Sequence, residues 1–325
     1  MIFGAGAIGG VVGACLHRAG EDVVLIARGA HHDAIAANGL RFETPDVQLT
    51  LPIPVARTPA EAGVGPGDAV LLAMKGQDTA GALVVLRDAA PASTPIACLQ
   101  NGVENERLAQ RLFSDVYGAV VMVPSAHLEP GVVLAYGTNR IGAIDIGRYP
   151  SGVDERCREL CAALAAGGLD SEPRPEIMRH KHAKLIANLA NAVEAICGPE
   201  GRDSELIERA REEARAVLGA AGIEFEDAEV ADVRGRWERW GVGEIEGRPR
   251  AGGSSWQSVA RGTRSIESDS LNGEIVLRGR QAGVPTPVNE LLQVVARETV
   301  RDGHEPGWLT SAELLARLRR DRERS

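Results

Sequence analysis

The sequence predicts an α/β fold in two parts, a mostly parallel sheet domain over residues 1–174 followed by an all-α domain over 175–325. Three observations carry this reading. A glycine-rich turn separates two apolar segments at the start of the chain. Apolar runs that end in polar residues then recur, and after Pro173-Arg174-Pro175 the apolar positions recur with a helical period. The 325 residues suit about two domains.

Met1-Ile2-Phe3 leads directly into Gly4-Ala5-Gly6-Ala7-Ile8-Gly9, then an apolar helical stretch from Val11 to Ala19 that Gly20 closes. Asp22 to Ala27 reads as a buried strand. Strand, glycine turn, helix and strand within about 30 residues is the setting of a dinucleotide fingerprint, so the first domain is Rossmann-like. Gly4 allows the tight turn, Gly6 lets the backbone approach a pyrophosphate, and Gly9 lets helix and strand pack closely. The helix N-terminus adds oriented N–H groups and a positive dipole end. The first strand is short against the usual ~5–6 residues; a short strand and a start codon set inside a longer one both account for this.

Leu40 to Val55 suggests a hairpin-like excursion, and Asp68 to Met74 a buried parallel strand ending in Lys75-Gly76-Gln77-Asp78-Thr79. Pro95 to Leu99 repeats the pattern and ends in Gln100-Asn101-Gly102. Val116 to Val123 and Arg140 to Ile146 read as strands and Glu155 to Ala166 as a helix. In the second domain, helices are predicted over Ile177–Ile196, Ser204–Ala221, Ser255–Leu277, Asn289–Arg301 and the basic tail from Ser311 to Ser325.

Lys and Arg total 36 against 45 Asp and Glu, a net charge of −9, which argues against nucleic acid or an anionic membrane as partner. No apolar run approaches the ~18–20 residues of a membrane span. Five cysteines without a Cys-x-x-Cys pair argue against a disulfide framework or structural zinc, and Cys157 and Cys161 read as small buried residues. His180 and His182, two apart, do not share a helix face as metal ligands would, so no metal is expected. With no secretory signal at the start, the cytoplasm is the expected compartment.

The end of the second strand selects the cofactor: an Asp or Glu there binds the ribose hydroxyl of NAD, whereas an Arg accommodates the 2′-phosphate of NADP. Here Arg28-Gly29 follows the strand, with His31 and His32 close behind and no acid before Asp33, so NADPH is favoured. In the second domain Lys184 and Asn188 lie four apart on one helix face, with Asn191 seven from the lysine. Gly253-Ser254-Ser255-Trp256 forms a hydroxyl-bearing turn, and Glu267 follows twelve residues after Ser255.

The glycine motif, Lys75, Gln100-Asn101-Gly102, Lys184-x-x-x-Asn188, Ser254-Ser255 and Glu267-x-Asp269-x-x-Asn272-Gly273, in this order, resemble the ketopantoate reductases (2-dehydropantoate 2-reductases) over nearly the whole chain. The resemblance implies that Lys184 is the general acid toward the ketone oxygen and that Glu267 orients its ammonium. It further implies that Asn101, Asn188, Asn191 and Ser255 position substrate oxygens, while Gly4 to Gly9, Arg28, Lys75 and Asn101 hold NADPH. Glu213 matches a glutamate whose part is structural. Two positions depart from the pattern: Ala192 stands where a second asparagine is common, with Asn191 one residue earlier, and Trp256 brings a bulky ring beside Ser255. The implied activity is NADPH-dependent reduction of a small 2-oxo acid, with ketopantoate to pantoate, a step toward pantothenate, as the leading substrate. A different oxo compound and a non-catalytic NADP sensor are the alternatives, and a homodimer is compatible with each.

Overall fold

The computed structural model describes residues 1–203, 205–226, 240–249, 252, 253, 255, 256, 259 and 266–324. Its contacts form two compact units. One is Met1–Lys181 with the described part of Asp227–Arg250; the other is His182–Glu226 with the described part of Ala251–Ser325. The division follows Lys181, inside a helix, rather than the Pro-Arg-Pro segment.

The first unit runs β1 (Ile2–Phe3), α1 (Ala7–Arg18), β2 (Leu25–Ile26), α2 (Gly29–Asn38), β3 (Leu40–Glu43), β4 (Gln48–Leu51), β5 (Val55–Ala56) and α3 (Pro59–Ala62). It continues with β6 (Val70–Leu72), α4 (Thr79–Arg87), β7 (Ile96–Cys98), α5 (Asn105–Gln110), β8 (Val116–Met122), β9 (Ser125–Ala126), β10 (Val132–Ala135), β11 (Ala143–Arg148) and α6 (Glu155–Ala166). A seven-stranded sheet has the order β11-β8-β7-β6-β1-β2-β5, parallel except where β11 joins β8. Alternation along each strand feeds two cores. Ile2, Leu25, Leu71 and Ala97 face α1 and α6, while Phe3, Ile26, Leu72 and Cys98 face α4 and α5. Burial on both faces explains why these strands read as unbroken apolar runs.

The expected excursion from Leu40 forms the β3–β4 hairpin, but the hairpin belongs to a second sheet, β4-β3-β10-β9, in which β10 runs parallel to β3. That long-range pairing has no local signal in the sequence, and β5 and β9 are only two residues each. This sheet packs on α1, where a Cβ at Gly10 would stand 2.6 Å from Val133 Cγ1. Helix α6 has the expected bounds because the Asp154 side chain caps it, accepting from the Cys157 N–H at 2.9 Å. Cys157 and Cys161 are buried free thiols; the hydrogen bond that Cys157 donates to Cys161, and then burial, push the Cys157 thiol up.

Helix α7 (Ile177–Asn188) begins in the first unit and ends in the second. The single helix expected to Ile196 is broken at Leu189, and α8 (Ala190–Cys197) follows. Helix α9 (Glu205–Ala220) buries Leu206, Ile207, Ala210, Ala214, Val217 and Leu218, the face its period predicts. The helix expected over Ser255–Leu277 holds at its start, where Ser255, Trp256 and Val259 are helical, but it is not continuous to Leu277. Glu267–Asp269 forms a 3-10 turn and α10 (Asn272–Ala282) starts only afterwards, while Ser254, Gln257, Ser258 and residues 260–265 lie outside the described residues. Serine and aspartate side chains in this stretch compete for the backbone and favour turns over helix interiors. Helices α11 (Pro287–Asp302) and α12 (Ser311–Arg324) complete the unit. Glu213 of α9 caps α11, accepting from the backbone N–H groups of Val288 at 2.8 Å and Asn289 at 3.0 Å.

Candidate active site

In the large sheet Phe3, Ile26 and Leu72 are level with one another, and Cys98 is level with Leu72. Just beyond this row the four chains carry Gly4, Arg28, Lys75 and Asn101. With neighbouring strands ~4.8 Å apart, the four segments lie side by side at the carboxyl edge of the sheet, where α/β proteins bind ligands. Residues far apart in sequence thus converge because their strands are adjacent and parallel.

The glycine turn divides its labour. Gly4 has φ +105°, and a Cβ there would approach the Met74 N to 2.7 Å; a Cβ at Gly9 would stand 2.0 Å from the Gly4 carbonyl oxygen. Both glycines are required by the protein's own packing. Gly6 is not, since a Cβ there meets nothing within 4 Å. It sits at the N-cap of α1 with no side-chain cap, so the first N–H groups of the helix have no partner from that residue. An open, uncapped helix start beside a glycine fits a pyrophosphate.

The sequence did not reveal what fixes this turn. His31 Nε2 lies 2.7 Å from the Ala5 carbonyl oxygen, and the Gly131 N–H donates to His31 Nδ1 at 2.8 Å. Nδ1 must then be unprotonated, which makes His31 a neutral Nε2–H tautomer. Burial first, and then the neighbouring His127 ring, hold its pKa down to about 4, against a smaller opposing effect of the Ala5 carbonyl. His31 therefore locks the turn and does not supply a charge. His32 is 3.0 Å from Asp33, and Arg57 also binds that carboxylate. Arg28 is exposed at the N-cap of α2.

On the other side of the turn, Lys75 is half-buried and opens the 3-10 turn Gly76–Asp78. The Gln100-Asn101-Gly102 segment is held by a buried polar network. Gln100 donates to Thr79 Oγ1 at 3.1 Å, Thr79 donates to Asn105 Oδ1 at 2.8 Å, and Asn105 donates to the Asn101 carbonyl at 2.9 Å. Gly102, at φ +81°, turns the chain away.

In the second unit, Lys184 and Asn188 stand one turn apart on α7, both half-buried. Among the described residues the buried Asn188 Nδ2 has no hydrogen-bond partner, a costly state that an oxygen acceptor would relieve. The break at Leu189 places half-buried Asn191 on a separate helix, so helical spacing does not fix its angle to Lys184. Ser255 is buried. The Trp256 ring lies against Gly252, and the Gly253 N–H donates to the buried Glu194 carboxylate at 2.9 Å. Glu267 is buried at the head of its 3-10 turn. Among the described residues, no group of three or more His, Cys, Asp or Glu could hold a metal ion, and no helix is long and apolar enough to cross a membrane.

Two family models match this chain: Ketopantoate reductase PanE/ApbA over residues 1–151, and its C-terminal counterpart over 176–299. The chain belongs to the ketopantoate reductase family. It is similar to the 2-dehydropantoate 2-reductase of Pyrococcus horikoshii, 31% identical over 313 residues that cover 93% of this chain and 98% of the relative. The corresponding protein of Archaeoglobus fulgidus is 30% identical, covering 91% and 96%. The crystal structure of a PanE/ApbA family ketopantoate reductase from Ralstonia eutropha JMP134 matches with a TM-score of 0.78 at 32% identity, over 94% of this chain and 100% of that one. A ternary structure of D-mandelate dehydrogenase with NADH and anilino(oxo)acetate shares the fold at a TM-score of 0.78 and 21% identity, covering 93% and 99%. As a ketopantoate reductase family member the chain is an oxidoreductase that uses a nicotinamide cofactor on small oxo acids, which sets aside the non-catalytic sensor.

Proposed function

We propose that the protein reduces a 2-oxo acid with NADPH, and that 2-dehydropantoate is its substrate. The observation that carries the reading is the Asn188 Nδ2, a buried donor without a partner among the described residues, one helical turn from Lys184. A lysine and an amide donor on one face are the equipment for a carbonyl or carboxylate oxygen. When bound, the nicotinamide cofactor supplies the hydride for the carbonyl carbon.

The chain's own residues do the rest. The open turn from Gly4 to Gly9 would receive the pyrophosphate, Arg28 the 2′-phosphate, and Lys75 and Asn101 the opposite end of the cofactor. Negative charge growing on the substrate oxygen would be met by the Lys184 ammonium, which donates the proton, and Glu267 would orient that ammonium. Asn188, Asn191 and Ser255 would fix the remaining substrate oxygens as neutral donors. The curated relatives at about 30% identity, all named 2-dehydropantoate 2-reductase, support the choice of substrate.

A specific observation favours a second reading. Ala192 is buried where the family commonly has an asparagine, and the indole of Trp256 fills the space over Gly252 next to Ser255. Both changes trade a polar contact for an apolar one and favour a bulkier oxo acid. An NADPH-oxidation screen over a panel of 2-oxo acids including 2-dehydropantoate separates the two. The proposal predicts the highest kcat/KM for 2-dehydropantoate, and a clear preference for an aromatic or longer acid supports the second reading.

A further inference from the structure

Lys181 is an unusual residue to find inside the first unit. Its side chain is 2% exposed, and its Nζ lies 2.6 Å from Oε1 of Glu106, a side chain with no exposure at all. The same ammonium donates to the Gln100 carbonyl at 3.0 Å. The other carboxylate oxygen of Glu106 has no hydrogen-bond partner among the described residues, and burial raises the Glu106 pKa against the opposing charge of Lys181. Room for the pair comes from Gly118 of β8, where a Cβ would stand 3.3 Å from Lys181 Cδ and 3.4 Å from Glu106 Oε1.

Stability does not account for this arrangement. Replacing a buried ion pair by apolar side chains of similar volume is often neutral or stabilising, because desolvation offsets the mutual attraction. What the pair supplies is a charged donor aimed at one backbone carbonyl. That carbonyl belongs to the residue before Asn101, and Asn105 holds the next carbonyl, of Asn101 itself, at 2.9 Å. Two successive peptide oxygens are thus fixed from the protein interior, and the Asn101 side chain projects from between them.

We propose that the buried Lys181–Glu106 pair is a positioning device: Glu106 holds Lys181, Lys181 pins the Gln100 carbonyl, and the pinned backbone sets the direction in which Asn101 presents its amide to ligand. The proposal rests on the reading that Asn101 binds cofactor or substrate. Lys181 is then a positioning residue, three positions before the candidate acid on the same helix, with no contact of its own to the reacting groups.

The test is a cycle between the charge-free variant Lys181→Met/Glu106→Leu and Asn101→Ala, read as kcat/KM for 2-dehydropantoate and as the NADPH Kd from fluorescence titration. Removing the pair is expected to leave the melting temperature at or above that of the parent. It should weaken at least one readout by ~10-fold or more, the size of a lost charge-assisted hydrogen bond. In the Asn101→Ala background the same change should cost less than ~3-fold, because the side chain it positions is gone. An unchanged pair-deleted enzyme overturns the proposal, and so does an equal loss in both backgrounds. A silent Asn101→Ala refutes the role of Asn101 and takes the proposal with it, whereas a costly Asn101→Ala with additive effects refutes the proposal alone. Should the charge-free variant fail to fold, Glu106→Gln loosens Lys181 while keeping its ammonium; a loss of about 3- to 10-fold that vanishes without Asn101 is expected, and no loss overturns the assignment.

Discussion

Replacing Gly6 by alanine separates a glycine kept for a ligand from glycines kept for the fold. A Cβ at Gly6 meets nothing within 4 Å, and its φ of −69° is open to any L-residue. Stability should therefore stay within ~1 kcal/mol of the parent, because the unfolded-state freedom lost with the glycine and the poorer N-cap that alanine makes oppose each other. Cofactor affinity should fall, because the methyl group occupies the space through which a phosphate reaches the helix N–H groups. Losing one hydrogen bond to a charged group costs about 1.5–3 kcal/mol, or roughly 10- to 100-fold in Kd. Gly9→Ala is the control with the opposite profile: its Cβ would stand 2.0 Å from the Gly4 carbonyl oxygen, so the turn must shift and stability should drop by ~1–3 kcal/mol or more. Thermal melts without cofactor and fluorescence titrations with NADPH measure both quantities. An unchanged NADPH Kd in Gly6→Ala refutes the assignment of this turn to the pyrophosphate.

Three further outcomes are expected. Arg28→Ala should weaken NADPH by ~10- to 100-fold while leaving NADH nearly unaffected; equal losses contradict the 2′-phosphate assignment. Because the fold holds His31 neutral, with a pKa near 4 against an unfolded value of 6.5, the unfolded chain binds more protons between these limits. The stability contributed by His31 is complete above pH ~6.5 and is lost as pH falls toward 4, by on the order of 1–2 kcal/mol once its partial exposure is discounted. Denaturant melts at pH 7 and 4.5 on the parent and His31→Gln check this, and a parent–variant gap that fails to narrow in acid counts against it. Glu267→Gln should lower kcat with NADPH affinity preserved, and parental turnover would remove Glu267 from the orienting role.

The sequence made the dinucleotide turn legible because its glycines answer local constraints, the Gly4 turn and the Gly9 approach. The buried face of α9 was legible for a similar reason, since its period is written in neighbouring residues. Lys75 and Asn101 could be picked out because each follows a short apolar run, and parallel neighbours bring those run ends together. Other features depend on partners distant in the chain. His31 sits on Ala5 and Gly131, Lys181 on Glu106 and Gln100, and β10 on β3, and none of these pairs leaves a spacing to read. The break at Leu189 has no local signal, because Leu189 and Ala190 are good helix formers and no Gly or Pro interrupts Ile177–Ile196, so propensity favours continuity that the structure does not keep.

The central claim is that Lys184 protonates the oxygen of a 2-oxo acid while other residues hold the cofactor. Its most direct test is NADPH oxidation by Lys184→Ala with 2-dehydropantoate, alongside NADPH titration of the same variant. The account predicts turnover reduced by ~10²–10⁴ with NADPH Kd within a few-fold of the parent. Parental turnover in Lys184→Ala would contradict it.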